Sequence, residues 1–514
     1  MAVPLPRRSL RGWALLAVLV ILGSYLLTLA LAIACFYFSF TILEAATNLT
    51  TLLLFLGGAA ISLSMIWSLI PRHQPFRAPG PRLDPEREPR LFTELENIAK
   101  AFREPMPADV YLAPDVNAFV TERGGTLGFG SSRVMGIGLP LLRVLTLSQF
   151  RAVVAHEFGH YYGGDTRMGP WVYKARQAML RTLTGFHAHS ISTQVVRFSA
   201  LAALARNLIV AILVWYWKVF MRATTAVSRR LEFRADELAC WFAGSPALVD
   251  GLCAITRGTA AGYSFWQSEL APALQAGYLP PVAEGFGLFL SSRGVAQATS
   301  AFLDAEVRKT TSDPYNTHPP LGARLDAARS YAYPAEAGGD ACAINLIGHL
   351  EELELRLLET ALPQLKTGGL NTMPWDRLGP EVYVPGWRRF TAEYKAVLEG
   401  LTAAGLPEAA KDVRRIGARM RDPKGMLLTH EQRAGRATAL LWMALAVAMI
   451  DHGWVLRAQP GESYLEHEGL PEVRPAAIVA GLQASSLTAD DWRKQCEEAG
   501  IAQLRLDGEG ASGK

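Results

Sequence analysis

The chain has 514 residues, half of them hydrophobic, with 51 basic and 47 acidic side chains and a formal net charge of +4. That length and apolar content suffice for more than one domain with a sizeable core. The near balance of charge, without a concentrated basic stripe, argues against a nucleic-acid-binding protein. The five cysteines are scattered and contain no CxxC pair, which favours a reducing compartment and disfavours a cysteine zinc or redox site.

Two apolar segments near the N-terminus are each long enough to cross roughly 30 Å of hydrocarbon. The first runs from Trp13 to about Phe38 and the second from about Leu52 to Ile70, so residues 1–70 are predicted to form a transmembrane hairpin. Arginines precede the first segment and follow the second, whereas the loop between them carries only Glu44. The positive-inside bias therefore places both ends of the hairpin in the cytoplasm.

Other apolar features leave alternatives open. Arg7 and Arg8 resemble the start of a cleaved twin-arginine signal, but the long apolar stretch and the second segment close behind it favour retention. A third apolar segment, Leu208 to Trp217, is too short to span comfortably and is interpreted as a buried or membrane-facing helix. If it crossed the bilayer, it would separate the parts of the chain before and after it. Residues 437–450, "ATALLWMALAVAMI", are predicted to form a core helix.

Beyond the hairpin, the pattern predicts helices around a small sheet. Residues 71–90 are rich in proline and charge and are predicted to be a stiff, solvated linker. A helix from about Leu91 to Phe102 is followed by two extended stretches, "DVYLAP" and "NAFVTER", and by a Gly-rich turn and strand. Helical periodicity dominates afterwards, most clearly in Leu346–Leu365, Trp387–Leu401 and Ala437–Ile450.

The strongest functional signal is "VVAHEFGHYYGGD", residues 153–165. On a helix, His156 and His160 lie on one face and can offer both imidazoles to one ion, while Glu157, about 100° around, can approach a water bound there. The preceding "LSQFRAVVA" has apolar residues at helical spacing and a predicted N-cap at Ser148. This arrangement suits hydrolysis at a metal. The alternative is a pair of surface histidines on an amphipathic helix.

A catalytic zinc usually has three protein ligands, so a further ligand is expected downstream. The spacing HExxHxxGxxH is absent, which excludes the metzincin pattern. In "SRRLEFRADELAC", Glu232 and Asp236 are four residues apart on one predicted helical face. Glu232 is predicted as the third ligand, and Asp236 could hydrogen-bond the outer ring nitrogen of a liganding histidine. The alternative for both is an ordinary solvated ion-pair face.

Three motifs in order, "HEFGH", "SRRLEFRAD" and "NTHPPLGAR", resemble the membrane-associated gluzincin zinc metallopeptidase family of the HtpX heat-shock protease and the CaaX prenyl protease. The resemblance runs from about Asp109 to Arg324 and leaves the C-terminal residues uncovered. It implies that His156, His160 and Glu232 bind zinc and that Glu157 is the general base. The chain offers fewer confident spans than the multi-span members, so prenyl-protein processing in an intramembrane chamber is not expected.

The resemblance also assigns residues around the cleft. It places Asp236 behind a liganding histidine, and Asn117 matches a strand beside the cleft on which a peptide substrate could align as an added strand. His318 and Arg324 match the HPPxxxR element. His318 is assigned a catalytic hydrogen bond to the tetrahedral oxyanion, and Arg324 is assigned, with Asn117, to substrate binding. The alternative for "THPPLGAR" is a proline-set turn that caps a helix.

These features predict a mainly α (α+β) protein with two N-terminal transmembrane helices, a helical zincin-like peptidase domain with a small β-sheet, and a helical C-terminal extension. The predicted domains are a transmembrane hairpin (1–70), a Pro-rich linker (71–90), a zinc metallopeptidase domain (91–335) and a helical C-terminal region of unknown role (336–514). The oligomeric state is not predicted.

The predicted function is that of a membrane-anchored endopeptidase with one zinc ion per chain. It would hydrolyse protein or peptide substrates at the cytoplasmic face of the cell inner membrane, for example in membrane-protein quality control, as an integral protein in contact with the lipid bilayer and without a nucleic-acid partner. One alternative is a non-catalytic membrane adaptor with a peptidase-like fold, which the intact Glu157 disfavours. Another is a zinc hydrolase acting on a non-peptide amide or a lipid.

Overall fold

The structure, a computed structural model, describes residues 11–70, 76–126, 129–162, 180–181, 200–310, 318–335, 341–364, 369–423 and 427–508. It is mainly helical with small sheets, which confirms the predicted fold class. The chain divides into two compact units that alternate along the sequence. Unit one contains Met1–Thr259 and Ser300–Pro363, and unit two contains Ala260–Thr299 and Gln364–Lys514. The predicted boundary at residues 335 and 336 stays a prediction.

Two long N-terminal helices precede a series of mostly shorter elements. In chain order the helices and strands are α1 (Arg11–Ala45), α2 (Leu49–Leu69), α3 (Pro89–Phe102), β1 (Asp109–Ala113), β2 (Ala118–Thr126), β3 (Phe129–Gly138), α4 (Leu139–Val144), α5 (Leu147–Gly159), α6 (Ala200–Ala243), α7 (Ser245–Phe265), α8 (Ala271–Gln275), β4 (Tyr278–Leu279), α9 (Val282–Ser291), α10 (Arg293–Arg308), α11 (Leu321–Tyr331), α12 (Leu350–Ala361), β5 (Asn371–Thr372), α13 (Trp375–Leu378), α14 (Val384–Glu393), α15 (Lys395–Leu398), α16 (Leu406–Lys411), α17 (Val413–Arg419), α18 (His430–Asp451), β6 (Val455–Gln459), β7 (Glu462–Glu466), α19 (Pro475–Gln483) and α20 (Ala489–Glu498).

Four helices of the described part are long and apolar enough to cross a membrane. They are Val18–Ala45 within α1, Leu49–Leu69, Asn207–Ala243 within α6, and His430–Asp451. The first two cover the predicted hairpin. The third contains the apolar segment that is by itself too short to span, because α6 continues as one helix on both sides of it.

The apolar half of α6 packs against α1 in two separate clusters. In one cluster Ile21 of α1 contacts Phe220 of α6, and in the other Ala32 contacts Leu213. The hydroxyl of Tyr216 also donates to the carbonyl of Val20 at 2.8 Å. Since higher numbers on α1 meet lower numbers on α6, the two helices are antiparallel. The C-terminal part of α6 therefore extends beyond its contact with α1 at the N-terminal end of α1.

A three-stranded sheet lies in unit one, in the order β1-β3-β2. β1 pairs parallel with β3, and β2 pairs antiparallel with β3 in a register that sets Val120 opposite Met135. β2 is thus an edge strand of this sheet. These strands confirm the predicted extended stretches and the predicted Gly-rich turn and strand.

Residues 81–83, within the predicted linker, are packed against β1 rather than solvated. The backbone N–H of Leu83 donates to the Val110 carbonyl at 2.8 Å, and the N–H of Leu112 donates to the Pro81 carbonyl at 2.9 Å. The side chain of Leu83 is 1% exposed. The composition of residues 71–90 hid this packing because one buried leucine stands among many charges and prolines.

The helix that carries HExxH begins at a different cap from the predicted one. Thr146, not Ser148, is the N-cap of α5: its side chain accepts from the N–H of Gln149, and the Gln149 side chain accepts from the N–H of Thr146. Ser148 lies inside the first turn. The reciprocal capping box satisfies two orphan N–H groups, which a cap at Ser148 would not do.

Unit two has its own hydrophobic core. α18 supplies Leu440 and Leu441, both fully buried, so the predicted core helix is confirmed within a longer helix of 22 residues. Trp492 packs in the same core and donates its indole N–H to the Ala403 carbonyl at 2.8 Å. The predicted helix Trp387–Leu401 is broken in two at Tyr394, whose backbone leaves helical geometry.

The segment 260–299 packs with the C-terminal part of unit two. Trp375 donates its indole N–H to the Pro281 carbonyl at 2.7 Å, and its ring lies 5.9 Å from that of Phe265. A Cβ at Gly285 would fall 2.2 Å from an atom of the Trp375 indole. The absence of a side chain at Gly285 therefore lets α9 approach the tryptophan.

Candidate metal centre

Two helices bring the predicted metal ligands together. α5 presents His156 and His160 one turn apart, and α6 presents Glu232 opposite them. The Nε2 atom of His156 lies 3.6 Å from Oε2 of Glu232, and the Nε2 atom of His160 lies 3.6 Å from Oε1. The third apolar segment therefore does not separate the two motifs, because the helix that contains it carries Glu232 to the histidines.

A glycine in the HExxH sequence permits this approach. A Cβ built on Gly159 would lie 3.1 Å from the Cα of Ala235 on α6, a distance tighter than nine in ten real Cβ contacts. Because Gly159 has no side chain, the backbones of α5 and α6 pack directly against each other at this point. The crossing lies one residue from His160 and three residues from Glu232, so it sets the separation of the ligands.

The donor set fits a zinc ion. One atom from each of His156, His160 and Glu232 lies within 4.8 Å of the others. Ligands about 2.1 Å from a tetrahedral zinc are separated from each other by about 3.4 Å, close to the 3.6 Å between each imidazole and Glu232. Two imidazoles and one carboxylate also match a catalytic site, which keeps a fourth position for water.

Behind the histidines, a buried ion pair orients one ligand. Oδ1 of Asp236 lies 2.9 Å from Nδ1 of His156, as predicted for the outer ring nitrogen. Arg324 of α11 donates through Nε to Oδ2 at 2.9 Å and through Nη2 to Oδ1 at 2.7 Å. Asp236 is fully buried. Its carboxylate is therefore shared between the guanidinium and the imidazole, which favours one tautomer and one ring orientation of His156.

Both ends of the HPPxxxR motif, His318 and Arg324, also reach the site. Nδ1 of His318 lies 2.9 Å from Oε2 of Glu232, and the His318 side chain is 61% exposed. Arg324 lies 3.7 Å from the same carboxylate through Nη1. His318 thus stands between the ligand carboxylate and solvent, whereas Arg324 points into the protein. The substrate contact predicted for Arg324 stays a prediction.

Burial and neighbouring charges shift the pKa values of the site. Burial raises the pKa of Glu157 to about 7 and lowers the pKa of His160 to about 3. Burial also disfavours charge on His156, but the nearby carboxylates of Asp236 and Glu232 outweigh it and raise the pKa of His156 to about 9. Burial acts to raise the pKa of Glu232, but the neighbouring imidazoles of His156 and His318 outweigh it and hold the pKa well below its usual range.

The edge strand of the sheet lies beside the catalytic helix. The main chain of Val120 lies beside the carboxylate of Glu157 and partly offsets the rise that burial causes in the pKa of Glu157. The hydroxyl of Tyr161 donates to the Val120 carbonyl at 3.1 Å. Asn117, predicted to help bind substrate, is exposed immediately before β2. The strand that the sequence placed at the cleft is therefore in contact with the helix that carries the candidate base.

The structure assembles His156, His160, Glu232, Asp236, His318 and Arg324 in one place, and places Asn117 at the start of the adjacent strand. Sequence reasoning missed three contributions to the site: the close approach at Gly159, the Arg324–Asp236 pair and the hydroxyl of Tyr161. The signal for the first was present, since a glycine stood between the two histidines. The other two depend on which side chains the fold brings together.

Comparison with known proteins gives concordant matches. Residues 85–332 match the family described as Peptidase family M48. The chain is 26% identical over 280 residues to Protease HtpX of Idiomarina loihiensis, covering 53% of this chain and 82% of that protein. It is 25% identical over 257 residues to Protease HtpX of Pseudomonas entomophila, covering 46% and 70%. It is 28% identical over 177 residues to a Protease HtpX homolog of Acaryochloris marina, covering 33% and 56%.

Proposed function

We propose that this chain, whose residues 85–332 belong to the HtpX-like metallopeptidases of family M48, is a zinc-dependent endopeptidase anchored in the membrane. The family and the apolar helices support a membrane metalloprotease. The finer proposal depends on one observation: His156, His160 and Glu232 converge within 4.8 Å, and Glu157 lies on the same helix beside the edge strand.

The proposed chemistry assigns the proton transfers to the chain's own residues. Zinc held by His156, His160 and Glu232 would supply Lewis acidity, polarising the scissile carbonyl and acidifying the attacking water. Glu157 takes a proton from this water and delivers it to the nitrogen of the leaving amine. Burial raises the pKa of Glu157, which makes its carboxylate a stronger base than a solvent-exposed one.

The remaining predicted residues have supporting roles in this proposal. His318 stays the proposed donor to the tetrahedral oxyanion, because its exposed ring lies beside the ligand carboxylate. Asn117 stays a proposed substrate contact at the start of β2. Asp236 holds His156 in the orientation that zinc requires.

The helix packing supports a site at the cytoplasmic face. α6 leaves its bundle with α1 at the end where α1 begins, and Arg11 and further arginines flank that end in the sequence. Glu232 follows Met221, a member of the bundle, by 11 residues, which is about 17 Å of helix. A site so close to the membrane would meet membrane-protein segments readily, so we propose membrane-protein quality control as its role.

The decisive experiment compares wild type with Glu157→Gln, both purified in detergent. We expect about one zinc ion per chain in both proteins, because this substitution leaves all three ligands in place. Wild type should cleave casein, and the variant should not, because an amide cannot take the proton from water. Zinc-loaded wild type without peptidase activity would favour the adaptor alternative, and turnover by the variant would remove Glu157 as the base.

A further inference from the structure

One residue of the edge strand is attached to the catalytic helix through its main chain. The Val120 carbonyl accepts from the hydroxyl of Tyr161 at 3.1 Å, and the main chain of Val120 lies beside the Glu157 carboxylate. Tyr161 follows His160 directly in the sequence. The same short segment thus supplies two metal ligands, the candidate base and a bond to the strand.

The pairing of β2 explains why Val120 can make these contacts. In an antiparallel pair, alternate residues point both main-chain groups towards the partner strand, and those between point both groups away. The Asn117 carbonyl accepts from Gly138 N–H, at the end of β3, so odd-numbered residues face β3. Val120, an even-numbered residue, faces away from β3 and towards α5.

The phenol ring of Tyr161 is itself held in place. The guanidinium carbon of Arg133, on β3, lies 4.3 Å from the centre of the Tyr161 ring, a cation–π geometry. Arg133 is fixed in turn by Glu104, through a contact of 2.7 Å between Nη1 and Oε2. The hydroxyl of Tyr161 therefore has a fixed direction, and it is aimed at the strand edge.

We propose that Tyr161 is a positioning residue that holds β2 at a fixed distance from the metal centre. It thereby determines where an extended peptide that pairs with this strand would lie. The inference rests on the proposed peptidase function. Tyr161 acts through the Val120 carbonyl and does not touch the reacting atoms. The competing role for a tyrosine at this point is a direct hydrogen bond to the oxyanion, which predicts a different kinetic effect.

The kinetic test compares Tyr161→Phe with Tyr162→Phe. Tyr162 is a matched control because it is the next residue and its ring packs edge-on against Phe102 at 6.2 Å. Losing one hydrogen bond that places substrate should raise KM for a long peptide about 2- to 12-fold in Tyr161→Phe. Zinc content and kcat should stay as in wild type, and Tyr162→Phe should match wild type throughout. A fall in kcat at constant KM would overturn positioning in favour of a transition-state contact.

A second measurement does not need catalysis. Hydrogen–deuterium exchange in residues 118–126 should be faster in Tyr161→Phe than in wild type, and unchanged in Tyr162→Phe, because only the first variant releases the strand edge. Equal exchange in all three proteins would overturn the inference. Failure of the proposed function would give a different result, because wild type itself would then leave peptides uncleaved.

Discussion

At the scale of single residues, the metal centre depends on a carboxylate that is buried with two partners. Asp236 is fully buried and contacts both Arg324 and His156. Taking such a charge out of water costs several kcal/mol, which the guanidinium offsets through two short hydrogen bonds. Removing one partner should therefore lower the stability of the protein by more than the intact pair contributes to it.

Arg324→Ala should destabilise the protein by about 3–5 kcal/mol, because it leaves Asp236 buried without its cation. Thermal unfolding in detergent should show a large fall in Tm. Arg329→Ala is the control: Arg329 lies on the same helix but is 58% exposed in its pair with Asp326, and such pairs contribute at most about 1 kcal/mol. Arg324→Ala combined with Asp236→Asn should recover part of the loss, and equal shifts for Arg324→Ala and Arg329→Ala would contradict this account.

The residues with metal chemistry were readable from the sequence, whereas their partners were not. Spacing on a helix identified His156 and His160, because the period of an α-helix is fixed, and the need for a third ligand led to Glu232, four residues from Asp236. The bond between Tyr161 and Val120 joins residues 41 positions apart, and the pair Arg324–Asp236 joins residues 88 apart. Such contacts depend on how helices and strands pack, which no local pattern in one sequence records.

At the scale of elements, the site is the product of one helix crossing. α5 carries two ligands and α6 the third, and the two backbones meet at Gly159 and Ala235. Because the helices are rigid, any change in the distance between their backbones at Gly159 and Ala235 also moves the ligands, which lie within one helical turn of that contact. The crossing therefore couples helix packing directly to metal binding.

Gly159→Val should push α5 and α6 apart and weaken zinc binding by at least tenfold, because even its Cβ would lie 3.1 Å from the backbone of Ala235. Zinc affinity can be measured by competition with a chromophoric chelator. Gly294→Val is the matched control in α10, since Gly294 is exposed and a Cβ there would meet no atom within 4 Å. Equal zinc affinity in both variants would mean that the crossing does not set the ligand distances.

The elements themselves were largely predictable. The strands, α3 and the HExxH helix lie where apolar periodicity and turn residues indicated, because these signals are local. The predictions failed where tertiary contacts overrode local composition. Residues 81–83 pair with β1 despite the charges and prolines around them, and Thr146 rather than Ser148 caps α5 because it alone forms the reciprocal capping box.

At the scale of the whole molecule, the two units are interleaved along the chain. Segment 260–299 follows the helix that carries Glu232 in the sequence, yet it belongs to unit two. Three of its phenylalanines, Phe265, Phe286 and Phe289, are at most 5% exposed, and the rings of Phe286 and Phe289 both pack on Phe265. Composition does not change at residues 260 or 299, so the sequence offered no sign of this exchange.

This division predicts how the chain tolerates truncation. A protein ending at Pro363 keeps Phe265 but loses Trp375, which packs on it, together with the rest of the C-terminal core. Each phenylalanine newly exposed forfeits about 1.5–3 kcal/mol of burial, so we expect aggregation on gel filtration in detergent. Replacing residues 260–299 by a short Gly-Ser linker in the same truncated chain removes these side chains. That second protein should elute as a single species and bind one zinc ion, because all three ligands belong to unit one. If the two truncated proteins aggregated equally, segment 260–299 would not depend on the C-terminal region for its burial.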